Sequence, residues 1–136
     1  MREEQSTSRP ARVLVVDDEP HVARFLEFVL AGAGYQAAVA TDGEGALVVA
    51  ERFVPDAVLL DPVLPGLSGC EVTKRLRSRA KDARLVILVL GHGTKDQTRE
   101  DMIEAGAGPD AYLTRPVKPS TLLEALDTLG VPPILG

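Results

Sequence analysis

Two aspartates, Asp17 and Asp18, close one apolar run of the chain, and a third, Asp61, closes another. The runs, residues 12–16 and 56–60, each read as a short strand buried on both faces. In an open parallel sheet a site forms beyond the carboxyl ends of the strands, so matching strand ends would gather the three carboxylates. Close pairs of such charges repel by roughly 4 kcal/mol at an effective dielectric of about 20. A cluster of this kind calls for a hard cation, a shared proton or a phosphate-linked role. A donor set made only of oxygens suits Mg²⁺, which takes one or two carboxylates and keeps several waters. The plainer alternative makes Asp17 or Asp18 a helix N-cap and Asp61 a turn residue.

The elements that must position these residues alternate along the chain. Strands are predicted over residues 12–16, 36–40, 56–60, 84–90 and 110–114, and helices over 20–32, 43–53, 68–79, 95–105 and 119–129. Val22, Phe25, Leu26, Val29 and Leu30 make one apolar stripe on the first helix, with Pro20 suited to its N1 position. Capping-box spacings occur at Thr41/Glu44, Ser68/Glu71 and Thr94/Gln97, and Leu122, Leu126 and Leu129 face the last helix inward. Strands alternating with helices imply parallel pairing through right-handed crossovers. The expected fold is α/β, a doubly wound five-stranded parallel sheet with helices on both faces.

Length and composition narrow the function. The 136 residues form one domain, expected as a flexible leader over 1–10, a folded body over 11–129 and a short tail over 130–136. A net charge of -5 with no basic patch argues against a direct nucleic-acid binder. No apolar run has the length of a membrane span. Cys70 stands alone, so no internal disulfide forms, and a cytoplasmic location is expected. Two histidines, His21 and His92, without a cysteine pair make no transition-metal site. His21 is expected to face solvent, and His92 to lie in the loop near the site mouth.

Four segments in order carry a resemblance. VLVVDDEP (13–20), LLDPVLPGLSG (59–69), EAGA (104–107) and YLTRP (112–116) together resemble the receiver domain of bacterial response regulators, from about Ala11 to Leu129. The resemblance implies a flavodoxin-like strand order of 2-1-3-4-5, which unites the three aspartates. By position, Asp61 resembles the aspartate that accepts a phosphoryl group from a histidine kinase. Asp17 and Asp18, with Asp61 and the backbone carbonyl of Val63, would hold Mg²⁺. Arg115 stands at the family's lysine position and Tyr112 at its switch aromatic. Leu90 stands at the Ser/Thr position ending the fourth strand, or Gly91 if the alignment slips by one residue; neither has a hydroxyl. Pro62 removes a backbone N–H beside Asp61, and Gly108-Pro109 is a two-residue insertion.

The resemblance implies two protein partners. One is a sensor histidine kinase or phosphotransfer protein; the other is a downstream protein on the face of the fourth helix, fifth strand and fifth helix. The departures favour, as the alternative, a pseudo-receiver acting as a phosphorylation-independent interaction module. A small Mg²⁺-dependent phosphatase would need a general acid beside Asp61, where Pro62 and Val63 offer none. A flavodoxin-like cofactor binder would need a phosphate loop after the first strand, which is absent.

Overall fold

The computed structural model describes residues 8–80, 84–91 and 96–135. Its main sheet consists of β2 (Arg12–Val16), β3 (Gln36–Ala40), β4 (Ala57–Leu60), β5 (Val86–Gly91) and β6 (Ala111–Thr114), joined through α1 (Pro20–Gly32), α2 (Gly43–Phe53), α3 (Gly69–Ala80), α4 (Asp96–Glu104) and α5 (Pro119–Thr128). The strands lie in the order β3-β2-β4-β5-β6, every pair parallel, which is the expected 2-1-3-4-5 arrangement.

Successive side chains of a strand point to opposite faces, and here each face meets its own helices. Val13, Val15, Leu59, Leu88 and Leu90 pack with Ala23, Leu26 and Leu30 of α1 and Leu122 and Leu126 of α5. Leu14, Val16, Leu60, Ile87 and Val89 pack on the other side with Ala46 and Leu47 of α2, Val72 and Leu76 of α3 and Met102 of α4. Burial on both faces is why the strands read as unbroken apolar runs. The stripe expected on α1 is narrower than its sequence suggests, since Phe25 is 52% exposed and Ala23 takes the inward place.

The helix starts decide which carboxylates are left for chemistry. Glu19 caps α1, accepting from the His21 N–H at 3.1 Å, with Pro20 at the head of the helix. Neither Asp17 nor Asp18 is spent as that cap. Ser68 accepts from Glu71 N–H at 3.2 Å, as expected. The cap of α2 is Asp42, whose Oδ1 accepts from Gly45 N–H at 2.6 Å, and not Thr41. A carboxylate is the stronger acceptor and carries the charge favoured at a helix N-terminus. Thr94 and His92 lie outside the described residues.

The ends of the domain depart from the expected leader and tail. β1 (Arg9–Pro10) pairs antiparallel with β7 (Ile134–Leu135), in register Arg9 with Leu135 and Pro10 with Ile134. Arg9 also reaches the amino rim of the main sheet, where its Nη1 and Nη2 grip Asp56 at 2.9 and 2.8 Å. Asp56 Oδ2 accepts the Arg12 N–H at 2.8 Å as well. Burial alone would raise the Asp56 carboxyl, but the Arg9 fork, the Arg12 amide and both positive charges outweigh it and hold it below its usual value. Tyr35 donates to the Val131 carbonyl at 2.6 Å. Burial, helped by the charge of Asp127, pushes its hydroxyl up to about 12. Leader and tail boundaries drawn at residues 10 and 130 thus cut through paired structure, because pairing between chain ends leaves no local mark in either.

Candidate functional site

At the opposite rim, the carboxyl ends of β2, β4, β5 and β6 converge. The register places Val16 beside Leu60, so the residues that follow, Asp17 and Asp61, are neighbours. The ladder continues one step past the strands, with Asp61 N–H donating to Val16 O at 2.9 Å and Asp17 N–H to Ala40 O at 3.1 Å. Asp17 is 2% exposed and Asp61 4%, while Asp18 faces solvent. A ligating oxygen from each of the three lies within 4.8 Å of the others. The three aspartates therefore meet as their positions at strand ends require.

Backbone amides fix how the two buried carboxylates face. Asp17 Oδ1 accepts from Glu19 N–H and Asp61 Oδ1 from Val63 N–H, each at 2.9 Å and each two residues on. These Asx-type bonds leave both Oδ2 atoms turned toward Arg115. Arg115 Nη2 stands 2.7 Å from Asp17 Oδ2 and 3.9 Å from Asp61 Oδ2. Its Nε donates to the Leu90 carbonyl at 3.0 Å, and its backbone N–H to the Gly91 carbonyl at 2.8 Å. The Arg115–Pro116 peptide is cis. Among the described residues the three carboxylates gather beside the Arg115 guanidinium, and their donor set is all oxygen, which fits a hard divalent cation such as Mg²⁺. Val63, whose carbonyl belongs to the expected ligand set, lies in the exposed loop after Asp61.

That loop is held close to α3. Gly69 N–H donates to the Pro62 carbonyl at 3.3 Å, and a Cβ at Gly69 would stand 2.8 Å from Pro62 Cα. Only glycine admits this approach. The proline after Asp61 thus removes one donor, while Val63 supplies the next.

The expected part of Leu90 needs correction. Its side chain is buried in the half-core of α1 and α5, whereas Tyr112 packs against the half-core of α2, α3 and α4. Leu90 therefore does not stand beside Tyr112, because alternation turns it to the other face of the sheet. The residue under the Tyr112 ring is Gly91. A Cβ there would lie 2.8 Å from Tyr112 Cε1 and closer still to its hydroxyl oxygen and Cζ. Tyr112 thus occupies the volume in which a side chain at position 91 would stand. Leu90 contributes to the site through its main chain, by the carbonyl that holds Arg115. No pattern of side chains could have marked that contact, since every residue has a carbonyl.

Similarity to known proteins agrees with this geometry. Residues 13–127 match the response regulator receiver domain family. The chain is 39% identical over 112 residues to the DNA-binding response regulator MtrA of Mycolicibacterium smegmatis, covering 82% of this chain and 47% of that protein. It thus spans about half the length of that relative. Protein PilH of Pseudomonas aeruginosa is 34% identical over 119 residues, covering 88% of this chain and 97% of that protein. The response regulator TrrA of Thermotoga maritima, solved in complex with Mg²⁺ and BeF, superposes with a TM-score of 0.74 at 33% identity, covering 88% of this chain and 98% of that one. Among the described residues no helix is long and apolar enough to cross a membrane. The chain therefore belongs to the response regulator receiver domain family, the signalling module of two-component systems.

Proposed function

We propose that this receiver domain accepts a phosphoryl group on Asp61 from a sensor histidine kinase or a phosphotransfer protein. The observation that carries the reading is the setting of Asp61, which is buried at the end of β4. One of its oxygens is held by Val63 N–H, and the other faces a guanidinium and a second buried carboxylate. An Asp61 carboxylate oxygen attacks phosphorus, and the bond from phosphorus to the donor's histidine nitrogen breaks with its electron pair staying on that nitrogen. Such transfer depends on positioning and charge neutralisation more than on covalent chemistry by the protein. Val63 N–H aims the nucleophile, and Arg115 stands ready to take a phosphoryl oxygen with a planar fork. Asp17, Asp18, Asp61 and the Val63 carbonyl would hold Mg²⁺, which when bound would supply positive charge beside the transferring phosphoryl group. Outside this self-directed chemistry the domain is a signalling module and not a metabolic enzyme.

The downstream partner is a protein that docks on the α4, β6 and α5 face, and the site of action is the cytoplasm. DNA binding, which the name of MtrA gives, is said of a longer protein; for the stretch matched here the reading is confined to protein partners. One observation favours the alternative of a pseudo-receiver. The β5 end offers Gly91 where a hydroxyl would reach a phosphoryl oxygen, with Tyr112 already filling that place. Intact mass after incubation with acetyl phosphate and Mg²⁺ separates the two readings. Phosphoacceptance gives an increment of one phosphoryl group that Asp61→Asn removes. No increment with acetyl phosphate or with a phosphorylated histidine donor, with metal bound, favours the pseudo-receiver, and an increment surviving in Asp61→Asn places the acceptor elsewhere.

A further inference from the structure

β5 ends in Leu90 and Gly91, so the strand brings no side-chain hydroxyl to the carboxyl rim. Tyr112 brings one from the neighbouring strand. It is paired with Val89, two residues short of Gly91. Two residues of parallel strand rise about 6.6 Å, a span that a tyrosine side chain covers and a serine does not. The ring accordingly runs along the sheet and ends over Gly91, where the hydroxyl oxygen is the atom nearest to the place a Cβ would take. That oxygen is buried. The acceptor stands at the same height, since Leu60 is paired with Val89 and Asp61 is therefore level with Leu90, one residue short of Gly91. The carbonyls of Leu90 and Gly91 hold Arg115, whose Nη2 is 3.9 Å from Asp61 Oδ2.

We propose that the Tyr112 hydroxyl is the side-chain donor that β5 lacks, and that it donates to an oxygen of the phosphoryl group carried by Asp61. This rests on the receiver reading above and adds a binding residue to it. A phenol suits the place. It donates one hydrogen bond without adding a cation to a rim where Arg115 already stands. A hydrogen bond to an anionic oxygen is also about twice as strong as one between neutral groups. Gly91 is the condition for the arrangement, because a Cβ there would stand 2.8 Å from Tyr112 Cε1 and exclude the ring. Glycine and tyrosine thus act as one unit, in which the donor is moved from the strand beside Asp61 to the next strand along. Linkage makes the effect reciprocal: the phosphoryl group holds the ring over Gly91 by as much as the seated ring strengthens the grip on the phosphoryl group.

The test uses beryllofluoride, whose fluorines stand in for phosphoryl oxygens once beryllium is bonded to the acceptor carboxylate. The whole chain is titrated with it at saturating Mg²⁺, in the wild type and in Tyr112→Phe, which removes the hydroxyl and keeps the ring. Tyr112→Phe should bind roughly ten-fold more weakly, the loss expected for one hydrogen bond to a charged acceptor. Because the substitution could disturb packing at the rim, a second measurement uses the wild type alone. The ¹³C resonance of Tyr112 Cζ, the carbon that bears the hydroxyl, is followed through the titration and should shift as the hydroxyl takes a fluorine acceptor. Equal affinities in the two chains, or a Cζ resonance that does not move at saturation, overturn the role of Tyr112 and leave phosphoacceptance on Asp61 standing. No binding by the wild type also overturns the role of Tyr112; joined to the absence of a phosphoryl increment by intact mass, it overturns the receiver reading as well.

Discussion

At the amino rim of the sheet Asp56 meets the fork of Arg9 and the Arg12 amide, each within 2.9 Å, and Arg77 and Asp110 form a second closed pair with Ile87 N–H. At the carboxyl rim, among the described residues, three carboxylates cluster and Arg115 stands beside two of them, Asp17 and Asp61. Both rims are built from charged residues flanking the same strands. In one, Asp56 and Asp110 each have a cation and a backbone donor, so the charge is structural. In the other, three carboxylates have ligating oxygens within 4.8 Å of one another, and that crowding is what the proposed cation would relieve. A protein gives up local stability at a site of this kind and recovers it on binding. Crowding of carboxylates on one another, not the mere presence of acidic residues, therefore separates the proposed functional rim from the fastening one.

Opposite signs of stability change would sharpen that comparison most. In urea unfolding at neutral pH without divalent ions, Asp56→Ala should lower stability by about 3 kcal/mol, since a charge-assisted fork and a backbone partner are both lost. Asp61→Asn should instead raise it by about 1 kcal/mol, by removing one of three repelling charges. Destabilisation by both would mean that the carboxyl rim is as well neutralised as the amino rim.

A smaller effect is expected where Tyr112 rests on Gly91. Gly91→Ser forces the ring out of its seat and should cost about 2 kcal/mol, the usual range for overpacking a close contact. The displaced ring should also shift the amide resonances of β6 and α5. If Gly91→Ser leaves stability and the Tyr112 ring signals as in the wild type, the ring does not occupy that volume in solution. In that case the carboxyl rim has room for an ordinary hydroxyl.

The smallest effect is on acid sensitivity. The Asp56 carboxyl is held below its ordinary value of 3.8 in the folded chain. Its contribution is therefore complete above the unfolded value and is lost as pH falls through the lower folded one. The stability difference between wild type and Asp56→Asn should be constant near neutrality and should shrink as pH falls below the ordinary carboxyl value of 3.8. A difference that stays constant down to pH 2 would show that Arg9 and Arg12 do not favour the charged form.

The sequence alone determined the alternation of strands and helices, and with it the parallel sheet, because apolar runs bounded by polar turns leave few other ways to bury both faces. It likewise determined that Asp17, Asp18 and Asp61 stand at strand ends, which the family resemblance implied to be adjacent, and that Pro20 opens a helix. Which of two adjacent residues, Leu90 or Gly91, faces Tyr112 was decided only by the tertiary structure, because a shift of one residue reverses the face of a strand. The same holds for the pairing of Arg9–Pro10 with Ile134–Leu135, since contacts between distant segments leave no local periodicity. It holds also for Arg115, whose type and place were legible while its partners were not. A side chain's charge is written in its identity, but the carboxylate it neutralises and the carbonyl that steadies it are fixed by how the ends of β2, β4, β5 and β6 come together.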